Sequence, residues 1–213
     1  MSSQSMFPLA PAPRRLAIIG TAGRDKNAPL SAGLWGAMLG SAARRVQALD
    51  TLISGGAAWA DHLAVQLFLQ DRCAALELYL PAPFDGRFVG PGGSSASAAN
   101  YYHDRFSAVI GQDTLGQLSL AIEKGAAVHA QPVLAGYRGM FARNTLVAKA
   151  ADAVLAYTFG DTVPMDSGTG NTWKQVVGEK AHVSLSWLAK AIEQQEAACE
   201  PVRPRGRFTV ARS

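Results

Sequence analysis

Leu16-Ala17-Ile18-Ile19-Gly20-Thr21-Ala22-Gly23-Arg24 decides the reading of this chain: a short apolar run, then a turn with a glycine at each end. The run has the length of a buried strand, and the glycines stop it. The unit recurs. Thr51-Leu52-Ile53-Ser54-Gly55-Gly56 runs into a helical stretch. Ala153 to Phe159 is followed by a polar loop holding Ser167-Gly168-Thr169 ahead of another helical stretch. Strand, glycine turn, helix start is the unit of an open α/β sheet, because parallel strands need helical crossovers. The turns after the strand ends gather into one crevice. Free backbone N–H groups at helix starts suit that crevice to anions, phosphate above all. The expected fold is a single Rossmann-like α/β domain, with a mostly parallel sheet flanked by helices and a ligand at its C-terminal edge.

Working outward, apolar periodicity predicts further strands over 76–80, 126–130 and 182–185. It predicts helices over 31–49, 58–72, 100–110, 114–123, 140–151, 169–177 and 186–199. Gly, Pro and Ser dominate 84–99, which reads as a long loop and a natural lid. Residues 1–13 read as a flexible lead, 14–200 as the domain, and 201–213 as a disordered basic tail. There is no internal repeat.

Composition bounds the function. With 213 residues, 48% hydrophobic and 17% charged, the chain is long enough to bury a substantial core. No apolar run is long enough to span a bilayer, and the N-terminus lacks the basic start and apolar core of a secretory signal. A cytoplasmic protein is expected, with Cys73 and Cys199 as free thiols. The formal charge of +4 lies in Arg203, Arg205, Arg207 and Arg212, so the body without 201–213 is neutral. That speaks against a nucleic-acid groove and leaves weak contact through the tail. The four His and two Cys show no zinc spacing. No metal site is expected, and Mg²⁺ would come only with a phosphate ligand.

Ser54-Gly55-Gly56-Ala57-Ala58-Trp59-Ala60-Asp61 resembles the "S-G-G-A-x-x-A-D" segment of the SLOG superfamily of Rossmann-like proteins. That group includes LOG-type nucleotide phosphoribohydrolases, the DNA-processing protein of transformation and small YspA-like proteins. Gly20 to Arg24 looks like its opening glycine turn, and Arg143-Asn144 like its mid-chain Arg-Asn or Arg-Lys pair. Pro164 to Thr169 is similar to its "P-G-G-x-G-T" loop, with Met165 and Asp166 in place of the middle glycines. The resemblance runs in order over about 16–185 and is closest to the stand-alone YspA-like branch. It implies binding of a nucleotide or nucleotide-derived ligand, and pairing of two copies through helices flanking the site. LOG-type hydrolases carry a catalytic Glu in "G-T-x-x-E"; the matching position here is Thr172. A hydroxyl does not replace a carboxylate that activates water. The readings are therefore sensing or sequestration of a nucleotide, with hydrolysis of its N-glycosidic bond as the alternative and DNA binding third.

The candidate site follows. Gly20, Gly23, Gly55 and Gly56 either provide special backbone angles or let a ligand approach the backbone. Thr21 and Ser54 offer hydroxyls to a ligand or cap the following helices. Arg24 and Arg143 suit a phosphate, with Asn144 beside Arg143. Asp61 either supports a helix dipole or meets a ribose hydroxyl. Trp59 stacks on a base or packs inside. Ser167, Gly168, Thr169 and Thr172 form the second helix start. For catalysis the candidates are Asp166, in the same loop, and His103, in the cluster Tyr101-Tyr102-His103-Asp104-Arg105. Deleting 201–213, which has no apolar periodicity, is expected to leave Tm within about a few degrees; a larger fall in a thermal melt would show that the tail docks on the body.

Overall fold

The first two glycine turns follow adjacent strands. β1 (Arg15–Gly20) lies between β2 (Thr51–Ser54) and β5 (Ala153–Thr158). β3 (Ala75–Leu80) and β4 (Ala127–Ala130) extend the sheet past β2, and β6 (Glu179–Ser184) extends it past β5. The order is β4-β3-β2-β1-β5-β6, and every pairing is parallel. This computed structural model describes residues 13–24, 30–130 and 140–199. The tail at 201–213 and all but the last residue of the lead at 1–13 lie outside the described residues.

Among the described residues seven helices flank the sheet: α1 (Ala32–Ala43), α2 (His62–Leu69), α3 (Ser95–Ile110), α4 (Thr114–Glu123), α5 (Met140–Ala150), α6 (Gly168–Gln175) and α7 (Leu185–Cys199). A single 3-10 turn, Trp59–Asp61, leads into α2. The chain is thus one Rossmann-like α/β domain. Successive strand residues face opposite ways, so β1 sends Leu16 and Ile18 into one core and Ala17 and Ile19 into another. The larger core packs α1, α2, α3, α4 and α7 on the sheet. The smaller, on the other face, uses Val147 and Ala148 of α5 with Trp173 of α6. β5 is buried along its whole length, as a parallel strand covered on both faces requires. No described helix is long and apolar enough to cross a membrane.

Three boundaries differ from expectation for identifiable reasons. The predicted helix over 31–49 ends at Ala43, because Asp50 closes a turn instead. The Asp50 carboxylate accepts from Gln47 N at 2.8 Å and from Arg14 Nε at 3.0 Å, and it is fully buried. α3 begins at Ser95, inside the predicted loop, because Ser94 caps it by accepting from Ser97 N at 3.4 Å. The remaining loop is not seen over a site: Asn100 clasps the Phe88 backbone from both sides, at 2.9 and 2.8 Å. β6 starts three residues before the predicted His182, at Glu179, since an edge strand carries charge that masks its period.

Asp50→Ala is expected to cost about 2–3 kcal/mol, the range for losing hydrogen bonds to a buried charge. Urea denaturation reads this directly, and an unchanged midpoint would mean that the turn holds without the carboxylate.

Candidate functional site

Strand order reverses at β1, whose neighbours lead to β2 on one side and to β5 on the other. Beyond the C-terminal ends of β1 and β5 lies a cavity of about 390 Å³. It sits at the switch point where open α/β sheets bind ligands. The turn after β1 supplies Gly20, Thr21, Ala22 and Arg24. Gly20 is needed for packing: a Cβ there would strike the Tyr157 carbonyl oxygen. Gly23, at φ +75°, lies over the Trp59 indole, where a Cβ would come within 2.8 Å of Nε1. Thr21 Oγ1 accepts from Gly23 N at 3.2 Å and so braces its own turn. Arg24 stands at the mouth, its guanidinium 5.7 Å from the centre of the Tyr102 ring of α3.

The second wall is the meeting of Asp61 and Arg143. Both side chains are more than nine-tenths buried, and Asp61 Oδ2 lies 3.9 Å from Arg143 Nη2. Gly55 makes this possible: a Cβ there would sit 2.7 Å from Asp61 Oδ2 and 2.8 Å from Arg143 Cζ. The guanidinium donates to Gly55 O at 2.9 Å and to Asn144 Oδ1 at 3.2 Å. Asn144 Nδ2 then donates to Gly168 O at 3.0 Å, so the Arg-Asn pair joins the β2 turn to the start of α6. Burial pushes the Asp61 carboxyl above its usual range, opposed chiefly by the Arg143 charge. Burial pulls Arg143 down, Asp61 opposes this, and the like charge of Arg24 adds to the pull.

The third wall is the first turn of α6. Ser167 caps it, accepting from Gly170 N at 3.0 Å. Thr169 Oγ1 donates to Gly20 O at 3.0 Å, tying the helix to β1. The backbone N–H groups of Gly168 and Thr169 have no partner among the described residues, as expected at a helix start. The position that cannot carry a side chain is Gly170, whose Cβ would strike Pro164 O. Gly168 has only Asn144 Nδ2 nearby, at 3.4 Å. Thr172, buried, lines the cavity one turn further on.

Several expected residues stand elsewhere. Trp59 is 3% exposed and packs in the core against Trp35 and Phe106, so it presents no face to a base. Its φ of +62° is rare for a bulky residue and is held by that packing. Ser54, Gly55 and Gly56 lie behind the cavity wall: Ser54 Oγ donates to Asp61 O at 2.9 Å and accepts from Gly56 N at 3.1 Å. His103 is buried under the β2 turn, with Nε2 donating to Gly56 O at 3.1 Å and Nδ1 2.9 Å from Thr114 Oγ1. It touches no cavity space. Asp166 is exposed and off the cavity wall. The carboxylate inside is Asp61, and it is no helix cap, since its side chain makes no capping bond to α2. Val147, Thr158 and Phe159, apolar or half-apolar wall residues, were missed by sequence reasoning; Thr158 and Phe159 sit where the β5 run ends, which was the available signal. Among the described residues no cluster of three His, Cys, Asp or Glu could hold a metal.

Gly55→Ala is expected to cost about 1–3 kcal/mol by forcing the Asp61–Arg143 pair apart. Gly92→Ala, in open space, is the control within about 0.5 kcal/mol. Equal losses in urea denaturation would contradict the close approach. His62, next to Asp61, turns away to Gln117 Oε1 at 2.8 Å. Burial, aided by His103, holds its imidazole down to about 3 against an ordinary 6.5. The folded state thus refuses a proton that the unfolded chain takes. Stability is full above pH 6.5 and falls as pH drops toward 3, by at most about 1.4 kcal/mol per unit from this group. His62→Gln should flatten that slope in denaturation at pH 7 and pH 5, and an unchanged slope would exclude His62 as its source.

No protein-family model matches the chain. An uncharacterized protein of Acanthamoeba polyphaga mimivirus is 37% identical over 183 residues, spanning 81% of this chain and 96% of the viral one. Likeness of that level over most of this chain and nearly all of the viral one places them together: this chain belongs to the family of that mimivirus protein.

Proposed function

We propose that this protein binds a nucleotide or a nucleotide-derived small molecule in the cavity beyond β1 and β5. The observation that carries the reading is the pairing of two guanidiniums, Arg24 and Arg143, with the unpaired N–H groups of Gly168 and Thr169 around one space. Arg24 and Arg143 lie near enough for the charge of one to disfavour the charge of the other, and Asp61 opposes this at Arg143. An anion relieves that repulsion. A phosphate, with several acceptor oxygens, takes guanidinium and helix-start N–H groups together. Val147 and Phe159 add apolar surface of the kind a base or sugar face needs. The resemblance to the SLOG superfamily supports the same ligand class.

Binding is better supported than cleavage. Thr172, at the place of the hydrolases' glutamate, lines the cavity with a hydroxyl, and the exposed Asp166 is not part of the cavity wall. Calorimetry with the four ribonucleoside 5′-monophosphates tests the reading. Arg143→Ala should weaken the tightest of them by roughly ten- to a hundredfold, about 1.5–3 kcal/mol. Arg24→Ala, at the exposed mouth, should weaken it without lowering Tm. Wild-type affinity in both variants would mean that the ligand sits elsewhere.

A further inference from the structure

We infer that Asp61 is the acceptor for a sugar hydroxyl of the bound ligand, so that the cavity selects ribonucleotides over their deoxy counterparts. This rests on the nucleotide reading above. Asp61 leaves two ordinary partners unused. It stands at the N-terminus of α2, where a carboxylate ordinarily accepts from the first free N–H groups, yet it makes no such bond. It does not hydrogen-bond Arg143 either: 3.9 Å is too long, and the Nη1 and Nη2 groups of Arg143 are committed to Gly55 O and Asn144 Oδ1. Its protein hydrogen bonds come from backbone alone, a long one of 3.4 Å from Ala57 N and one from Gly55 N. A carboxylate offers about four acceptor sites, so this one, only 8% exposed and lining the cavity, keeps acceptor capacity for a ligand. A donor that reaches this capacity gains a hydrogen bond to a charged group.

The donor must come from the ligand, and its chemistry is constrained. The positive groups of the cavity repel a cationic donor: Arg24 and Arg143 flank Asp61, and the positive end of α6 forms a neighbouring wall. A neutral hydroxyl fits. It donates to an ionised carboxylate, and it also pairs with the protonated carboxyl that burial favours, because it both donates and accepts. With phosphate on Gly168, Thr169 and the guanidiniums, the nearest neutral donors of a 5′-nucleotide are the 2′- and 3′-hydroxyls. A site built to bond a hydroxyl rejects the analogue lacking it more strongly than an apolar pocket rejects a changed methylene.

The test is calorimetry on the full chain with the four ribonucleoside 5′-monophosphates and, for the tightest, its 2′-deoxy and 3′-deoxy forms. Loss of one hydroxyl is expected to weaken binding by roughly ten- to a hundredfold, the range for a hydrogen bond to a charged group. In Asp61→Asn, with folding checked by thermal melt, the ratio should collapse toward one. Equal binding of ribo and both deoxy forms by wild type overturns the assignment of Asp61 and leaves the nucleotide reading standing. A ratio that persists in Asp61→Asn assigns the hydroxyl to another residue and also overturns it. Should Asp61→Asn not fold, Asp61→Ser replaces it, and the wild-type ratio remains decisive against the proposal. Binding of none of the four monophosphates overturns the nucleotide reading itself.

Discussion

The meeting of Asp61 and Arg143 over the bare α-carbon of Gly55 is the constraint on which the site depends. Two opposite charges are held out of water by four elements at once. The turn after β2 supplies the gap, the 3-10 turn before α2 the carboxylate, α5 the guanidinium, and α6 is fastened through Asn144 to Gly168 O. Removing either partner leaves the other buried and uncompensated, which is the expensive case. The ion pair is therefore less a source of net stability than a register pin. It sets α5 and α6 at a defined distance from the β1 turn, and the cavity is the space left between them.

Glycine placement shows the same logic from the other side. Gly20 lets β1 press against Tyr157, Gly55 admits the ion pair, and Gly170 lets the loop from Pro164 wrap the start of α6. Each is a close approach of backbone to another group, and Gly20 itself lines the cavity. Thr169 Oγ1 on Gly20 O closes the ring between the first and third turns. What that ring leaves open to a ligand is there by construction: the first N–H groups of a helix, and a carboxylate that makes no capping bond to its own helix end.

Much of this was legible beforehand, and the parts that were not have physical reasons. The strands β1, β2 and β5 read clearly because parallel strands buried on both faces are nearly unbroken apolar runs, and β3 because Leu76, Leu78 and Leu80 alternate with half-buried Glu77 and Tyr79. The glycine turns located the crevice, and Arg143 with Asn144 fell on its wall. Trp59 misled because a local sequence pattern does not say whether a ring after a glycine turn points outward or into the helices beneath; here Trp35 and Phe106 receive it. Asp166 misled for a similar reason, since proximity in a loop is not proximity in space, and its loop turns the side chain to solvent. Asp61 read from sequence as either a helix-dipole residue or a ribose contact. Its actual environment depends on Arg143, 82 positions away along the chain, and no local pattern encodes that meeting.

Amide chemical shifts test the central claim most directly. In a titration of the full chain with the ribonucleoside 5′-monophosphates, the largest changes should fall on the backbone N–H groups of Gly168 and Thr169 and on the turn from Gly20 to Arg24. The edge strand β4 and helix α4 should stay still. Saturable changes centred on any other part of the domain, or a spectrum unmoved at Gly168 and Thr169 when ligand saturates, would contradict the account.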